Sequence, residues 1–343
     1  MKAAVLHKAH DLRIQEVPKP TIGPAEVLVK IKAVGICGSD MHLFHEGSIG
    51  NTVLAQPLVL GHEAAGEVVE VGQEVSSFSV GDRVALEPGV PCRQCAYCKR
   101  GEYHLCPSVQ FHGVPSADGF FAEYVAMPSD FVFRLPDSLD FVQGAMLEPF
   151  AVGLQAATEG AIKPGESVAI LGSGPIGLST LQAVTVRGAT NTMVVDVVDK
   201  RLKMAAELGA QHTINATKVD VVAEIARLTD GLGADVVFET AGAVPTTQQS
   251  VQAVRRGGTV VMVGVASQAN IALDVVRIVR SRLNVKGCFR YVNQYPTAIA
   301  LAKAGKVDLT SAVTHTFSLD ELPEALDFCI KNKDVAIKSV VTF

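Results

Sequence analysis

Four cysteines crowd one short loop. Cys92, Cys95, Cys98 and Cys106 follow C-x2-C-x2-C-x7-C within PCRQCAYCKRGEYHLC. Four thiolates complete a closed tetrahedral zinc site, which has no open position and so serves structure rather than catalysis. So short a loop has no core of its own, and a metal would order it. Arg93, Lys99 and Arg100 sit where they could offset the charge of a tetrathiolate centre. An iron–sulfur cluster is the main rival for such a set. A second group has different chemistry. GICGSDMH supplies Cys37, Ser39 and His42, GHEAAG supplies His62 and Glu63, and LEPF supplies Glu148. Catalytic zinc takes three protein ligands and leaves one position open. One thiolate and one carboxylate neutralise the divalent ion, and a neutral imidazole completes the set. Taken singly, Cys37 reads as a small core residue, His62 as a loop histidine and Glu148 as a helix-start acid. Their company beside a zinc loop and a dinucleotide motif reverses that reading.

The dinucleotide motif is Gly172, Gly174 and Gly177, a G-x-G-x-x-G between the strand-like SVAIL and a helical run. The first glycine permits the tight turn, the second lets backbone approach a pyrophosphate, and the third allows close helix-to-strand packing. The helix N-terminus then offers free N–H groups to the phosphates. Asp196 ends the next apolar run, where an acid meets the ribose hydroxyls. A carboxylate accepts from a 2′-hydroxyl and repels a 2′-phosphate, so NAD is expected over NADP. Lys200 and Arg201 read as helix-start charges, or Arg201 as a packing partner of the adenine.

Two kinds of element must hold these groups. Up to about residue 150, short apolar runs such as VLVKIKAVGI, GEVVEVG and GDRVALEP end in Gly, Pro or Asp, which predicts a barrel-like β domain. From about 151, strand and helix patterns alternate through TMVVDV, DKRLKMAAELGA, ADVVFETAG and GGTVVMVG, which predicts βαβ units on a parallel sheet. ALDVVRIVRSRLNVKG suits an edge strand and helix for subunit pairing, and the stretch from 289 returns to the first domain. A length of 343 residues with 48% hydrophobic and 19% charged residues fits two ordered domains. The net charge of -5 and the lack of a basic run speak against nucleic acid or an anionic membrane as partner. No apolar run reaches the ~18–20 residues of a membrane span, and the N-terminus has no signal-peptide pattern. Seven cysteines, an odd count, fit a reducing compartment; the expected location is cytoplasmic.

GHEAAGEVVEVG with GDRV, the cysteine loop and the glycine turn occur in the order of the zinc-containing medium-chain alcohol dehydrogenases. The chain resembles that family over essentially its whole length. GSIGN at 47–51, EPG at 87–89, LEPF at 147–150 and CFRY at 288–291 make it most similar to the sorbitol and xylitol, or polyol, branch. The resemblance implies an α/β protein. A GroES-like β-barrel catalytic domain, residues 1–150 and 289–343, would carry both zinc sites. A Rossmann doubly wound parallel-sheet domain, residues 151–288, would bind NAD. It implies one catalytic zinc on Cys37, His62 and Glu63, with Glu148 binding directly or through water, and one structural zinc on Cys92, Cys95, Cys98 and Cys106. Ser39 and His42 match a relay for the alcohol proton. Ile176, Asp196, Arg201, Val263, Gly264, Val265, Phe289 and Arg290 match cofactor contacts. Phe111, Arg290 and Tyr291 match substrate-side positions. Leu43 and Val114 replace more polar residues of the animal enzymes and imply a less polar pocket. The expected reaction is NAD-dependent oxidation of a secondary alcohol of a polyol to the ketose, by zinc-assisted hydride transfer in a homotetramer or dimer. The alternatives are a butanediol or threonine-type dehydrogenase and, remotely, a non-catalytic NAD-binding regulator.

Overall fold

The computed structural model describes residues 1–266 and 268–343. They form two compact units. The first comprises Met1–Glu148, Tyr295–Gly305 and Leu309–Phe343, and the second Pro149–Gln294 and Lys306–Asp308. The division falls inside the helix Phe141–Glu159, between Glu148 and Pro149.

The first unit is built around one long strand, β1 (Glu26–Ile36), which runs straight into the helix α1 (Gly38–Glu46). β2 (Glu63–Val71), β3 (Arg83–Leu86), β4 (Tyr124–Pro128) and β5 (Val132–Arg134) follow, and the C-terminal segment adds β6 (Val313–Ser318) and β7 (Lys338–Thr342). The sheet order is β5-β3-β2-β1-β7-β6. One edge of β1 is shared by two partners: β4 pairs with residues 26–30 and β7 with residues 33–36, both antiparallel. The other edge pairs with β2, with Gly35 opposite Glu63. Val27, Val29, Ile31 and Val34 of β1 enter a core with Leu86, Phe120, Phe121 and Met127, and Leu322, Leu326 and Val341 of the C-terminal segment join it. Burial of these side chains, at roughly 1.5–3 kcal/mol each, holds the strands in register.

The second unit holds a six-stranded sheet in which every pairing is parallel. Across it run His212–Asn215, Asn191–Asp196, Ser167–Leu171, Ala234–Glu239, Val254–Met262 and Asn284–Gly287. In chain order that is 3-2-1-4-5-6, the doubly wound arrangement whose strand order reverses beside the first strand. Ala169, Leu171, Met193, Val195, Val237 and Val260 are buried together, because a parallel sheet is covered on both faces. The glycine turn follows the first strand, and the helix Pro175–Val186 follows the turn. Gly172 has φ 108°, and a Cβ on Gly177 would lie 1.9 Å from the Gly172 carbonyl oxygen, so neither position admits a side chain without a shift. The expected α/β class is the one observed: one unit holds a β sheet that is antiparallel except for the parallel β6–β7 pair, and the other is a doubly wound parallel sheet.

Candidate functional site

The two ends of α1 and β2 meet at one cluster. Cys37 is the N-cap of α1, and His62 directly precedes β2, which Glu63 opens. One donor atom from each of Cys37, His62 and Glu63 lies within 4.8 Å of the others, a grouping that can hold a metal ion. His62 and Glu63 are buried. The buried Asp40 fastens both sides of the cluster. Its Oδ2 accepts the Cys37 N–H (2.9 Å) and its Oδ1 the Gly61 N–H (3.0 Å), and Oδ1 lies 3.9 Å from His62 Nδ1. His62 Nδ1 is buried without a hydrogen-bond partner. Burial disfavours the imidazolium, but Cys37, Asp40 and Glu148 outweigh it and push the His62 pKa up to about 10. A ring set among anions calls for a cation, whether a proton or a metal. The donor set of thiolate, imidazole and carboxylate is the one zinc accepts, so these residues fit the ion.

Glu148, on the helix Phe141–Glu159, is buried and acts electrostatically on His62, but it stands outside the group whose donors lie within 4.8 Å. Phe111 packs its ring 5.5 Å, centroid to centroid, from that of His62. Ser39 occupies the first turn of α1, and the exposed His42 one turn on has Nδ1 3.0 Å from Glu46 Oε1. Leu43 is fully buried in the first unit's core, so its side chain packs rather than lining open space.

The four loop cysteines also converge, with sulfurs within 4.8 Å of one another. Cys95 Sγ lies 3.4 Å from Cys98 Sγ, and Cys106 Sγ accepts the Cys92 N–H. Backbone N–H groups of Gln94 and Cys95 lower the Cys92 pKa to about 6, while desolvation and the neighbouring thiols raise that of Cys98 to about 12; Cys92 is thus the member of the set that is a thiolate near neutral pH. Two of the cations expected to offset this centre are engaged by carboxylates instead: Arg93 pairs with Asp130 (2.7 Å) and Arg100 with Glu102 (3.0 Å). Arg93 also lies over the Phe131 ring. The loop is tied to the first unit's sheet a second time by Tyr103, whose hydroxyl donates to Glu87 Oε1, just beyond β3, at 2.7 Å.

Burial raises the Glu87 pKa from 4.5 to about 7. A folded-state pKa above the unfolded one means stability that is complete below pH 4.5 and is lost as pH rises through 7. Glu87→Gln abolishes this dependence. The variant's melting temperature relative to wild type should climb between pH 5 and pH 8, by an amount equivalent to roughly 3 kcal/mol. A constant difference across that range would show that Glu87 titrates like an exposed acid.

In the second unit, Asp196 carries more than the sequence implied. Its carboxylate accepts the Ser173 N–H (2.7 Å) and hydroxyl (3.1 Å) on Oδ2, and the N–H groups of Val197 and Val198 (2.8 and 3.0 Å) on Oδ1. Asp196 therefore locks the glycine turn as well as ending its strand. Arg201 reaches back to that turn: its Nη1 lies 4.0 Å from where a Cβ on Gly174 would stand. Ile176 is in the first turn of the helix that follows. Val263 and Gly264 donate their N–H groups to Glu239 O, and Val265 beyond them is exposed. Arg290 has φ 57° and lies over the exposed Phe289 ring, while Tyr291 is buried.

Sequence reasoning missed Asp40, Glu87, Tyr103, Glu239 and Lys338. Asp40 stands inside GICGSDMH, three residues after Cys37, and that capping-box spacing was a usable signal. Glu239 holds its own turn: its Oε1 accepts from the Ala241 and Gly242 N–H groups and the Thr246 hydroxyl. Lys338 pairs with Glu63 from the far end of the chain. Burial disfavours its charge, but Glu63 and Cys37 raise its pKa, so it stays an ammonium. No local pattern announces that pair.

Residues 23–137 match the alcohol dehydrogenase GroES-like domain, and residues 175–304 match the zinc-binding dehydrogenase domain. Set beside the doubly wound sheet and the two ligand clusters, these matches mean that the chain belongs to the zinc-binding alcohol dehydrogenase family and is an oxidoreductase, with zinc and a nicotinamide dinucleotide as its cofactors. Among named relatives it is 44% identical over 341 residues to sorbitol dehydrogenase from Bacillus subtilis, covering 99% of this chain and 97% of that one. An Escherichia coli oxidoreductase of unknown specificity superposes with a TM-score of 0.96 at 41% identity, covering 99% of this chain and 98% of that one. The 2R,3R-butanediol dehydrogenase of Bacillus subtilis superposes with a TM-score of 0.90 at 34% identity, covering 100% and 99%.

Proposed function

We propose that the protein oxidises a secondary alcohol of a small polyol, of the sorbitol or xylitol type, to the ketose with NAD. The convergence of Cys37, His62 and Glu63 carries the reading. In it the first unit holds a catalytic and a structural zinc, and the second binds NAD. Zinc, when bound, supplies Lewis acidity, and NAD supplies the hydride acceptor. The chain's own residues do the rest. The charges of Cys37 and Glu63 match a divalent ion, and Asp40 fixes the two turns that present Cys37 and His62. Phe111 walls the His62 side. Ser39 Oγ would accept the alcohol proton as it gives up its own, and His42, exposed and steadied by Glu46, would be the end of that relay that releases a proton to solvent. Gly172, Gly174, Ile176 and Gly177 receive the pyrophosphate, with Arg201 beside them, and Asp196 faces the ribose. Val263, Gly264, Val265, Phe289 and Arg290 complete the cofactor side, and Arg290 and Tyr291 the substrate side.

The protein acts in the cytoplasm as a homo-oligomer. The edge strand Asn284–Gly287 is exposed along its length, and Val275, Val276 and Val279 of the neighbouring helix are exposed too. An open strand edge with valines around it favours pairing with a second copy.

The 44% identity to a sorbitol dehydrogenase supports a polyol substrate. The likeness to a butanediol dehydrogenase, with the apolar Val114, keeps a diol as the second reading. A panel of hexitols, pentitols, 2,3-butanediol and threonine, each with NAD and NADP, tests both. The highest kcat/KM is expected for a hexitol or pentitol with NAD. A tenfold preference for the diol or for threonine would replace the polyol reading, and a preference for NADP would remove Asp196 from cofactor selection.

A further inference from the structure

Lys338 is the only lysine or arginine in the buried set among the described residues, at 4% exposure. An ammonium in a dry site is costly unless it is paired and hydrogen-bonded. Here it is both. Its Nζ contacts Glu63 Oε2 and donates to the carbonyl of Ile36 at 2.8 Å. Ile36 directly precedes Cys37, so one ammonium touches a carboxylate of the metal cluster and the backbone that leads to its thiolate.

The sheet explains how Glu63 reaches it. Lys338 opens β7, which pairs with β1, and β1 pairs with β2. Glu63 and Lys338 therefore sit on strands either side of β1. Gly35 faces Glu63 on one edge of β1 and Val340 on the other. A Cβ at Gly35 would stand 1.9 Å from Glu63 Oε2 and 2.7 Å from Met146 Cε. The missing side chain is the gap through which the carboxylate crosses β1. Charge points the same way. Cys37 and Glu63 already match a divalent ion, Asp40 and Glu148 add negative charge nearby, and Lys338 is the cationic side chain set against them.

We infer that Lys338 is a positioning residue of the catalytic metal centre, holding Glu63 across the Gly35 gap in the geometry that retains zinc. The inference rests on the zinc reading of Cys37, His62 and Glu63. Outer partners of metal ligands change metal affinity by roughly 10–100-fold when removed. Lys338→Met is expected to lose catalytic-site zinc to a chelator at least tenfold faster than wild type, while Lys338→Arg stays within about threefold of wild type. Gly35→Ala, which leaves Lys338 in place but fills the gap, should lose it as Lys338→Met does.

Elemental analysis after timed chelation reads this directly, with the cysteine-loop zinc as internal reference: about one zinc per chain in Lys338→Met and Gly35→Ala, two in wild type and Lys338→Arg. Cobalt substituted at the catalytic site gives a second readout, since a displaced carboxylate shifts its visible bands. Two zinc atoms held at the wild-type rate in Lys338→Met, with wild-type cobalt bands, would overturn the role of Lys338 alone. A wild-type protein that never binds more than one zinc would instead overturn the zinc reading beneath it. If Lys338→Met does not fold, Gly35→Ala and Lys338→Arg decide: zinc retention at the wild-type rate in the alanine variant would refute the inference.

Discussion

Replacing Cys37 with alanine is expected to lower kcat by at least about a thousandfold while NADH binding stays within about twofold of wild type. A loss of that size corresponds to about 4 kcal/mol of transition-state stabilisation. The reason lies in the cluster. Cys37, His62 and Glu63 are the donors within reach of one another, and removal of the thiolate takes one of two formal negative charges from a three-ligand site. Alanine leaves the Asp40 bond to the backbone N–H of residue 37 in place, so α1 should keep its cap. The glycine turn, Asp196 and Arg201 belong to the other unit and depend on their own hydrogen bonds. Rate assays, fluorescence titration with NADH and zinc content together check the result. Turnover within tenfold of wild type would remove Cys37 from the chemistry, and a parallel loss of NADH binding would point to general unfolding instead.

The second large effect concerns stability. Cys106→Ser should strip the metal from the cysteine loop and lower the melting temperature by roughly 10 °C, equivalent to several kcal/mol for a domain of this size. Cys106 is the buried member of the four, and the loop around it contains only one turn of α-helix and one of 3-10 helix. Without a metal, four sulfurs within 4.8 Å of one another are held only by weak N–H to sulfur bonds such as those from Cys92 N–H to Cys106 Sγ and from Cys98 N–H to Cys95 Sγ. The loop would remain tied to the rest of the first unit by the exposed Arg93–Asp130 pair and the Tyr103–Glu87 hydrogen bond. An exposed pair contributes little. The kcat of the variant protein that stays folded should remain within about threefold of wild type, because the loop has no open position for substrate. Calorimetry with and without chelator, beside kcat measured below the melting transition, separates the outcomes. An unchanged melting temperature would make the loop metal dispensable. A collapse of kcat in folded protein would give the loop a part in the reaction.

Much of the candidate site was legible because its signals are short-range. The cysteine spacing, the glycine spacing and GHEAAG are each complete within one loop or turn, where neighbours in sequence must be neighbours in space. The strands Ser167–Leu171 and Ala234–Glu239 were legible as apolar runs, since a sheet covered on both faces needs no alternation. The strand His212–Asn215 and the helix Phe141–Glu159 were not. HTIN is too short and polar to stand out, and the helix is apolar nearly all round, with Pro149 in its middle. Glu148, which read singly as a helix-start acid, therefore turns out to lie in the middle of that helix, just before Pro149.

Residue types and local spacing alone determined that this chain has a four-thiolate loop, a thiolate–imidazole–carboxylate set and a dinucleotide turn, because ligand chemistry and turn sterics act over a few residues. Tertiary structure alone decided which groups surround them. Lys338 reaches Glu63, and Tyr103 reaches Glu87, through strand pairing and core packing that bring distant segments together. Such partners are chosen by the low-dielectric interior, where a charge or a buried carboxyl must find whatever complement the fold places beside it, and no spacing along the chain encodes that choice.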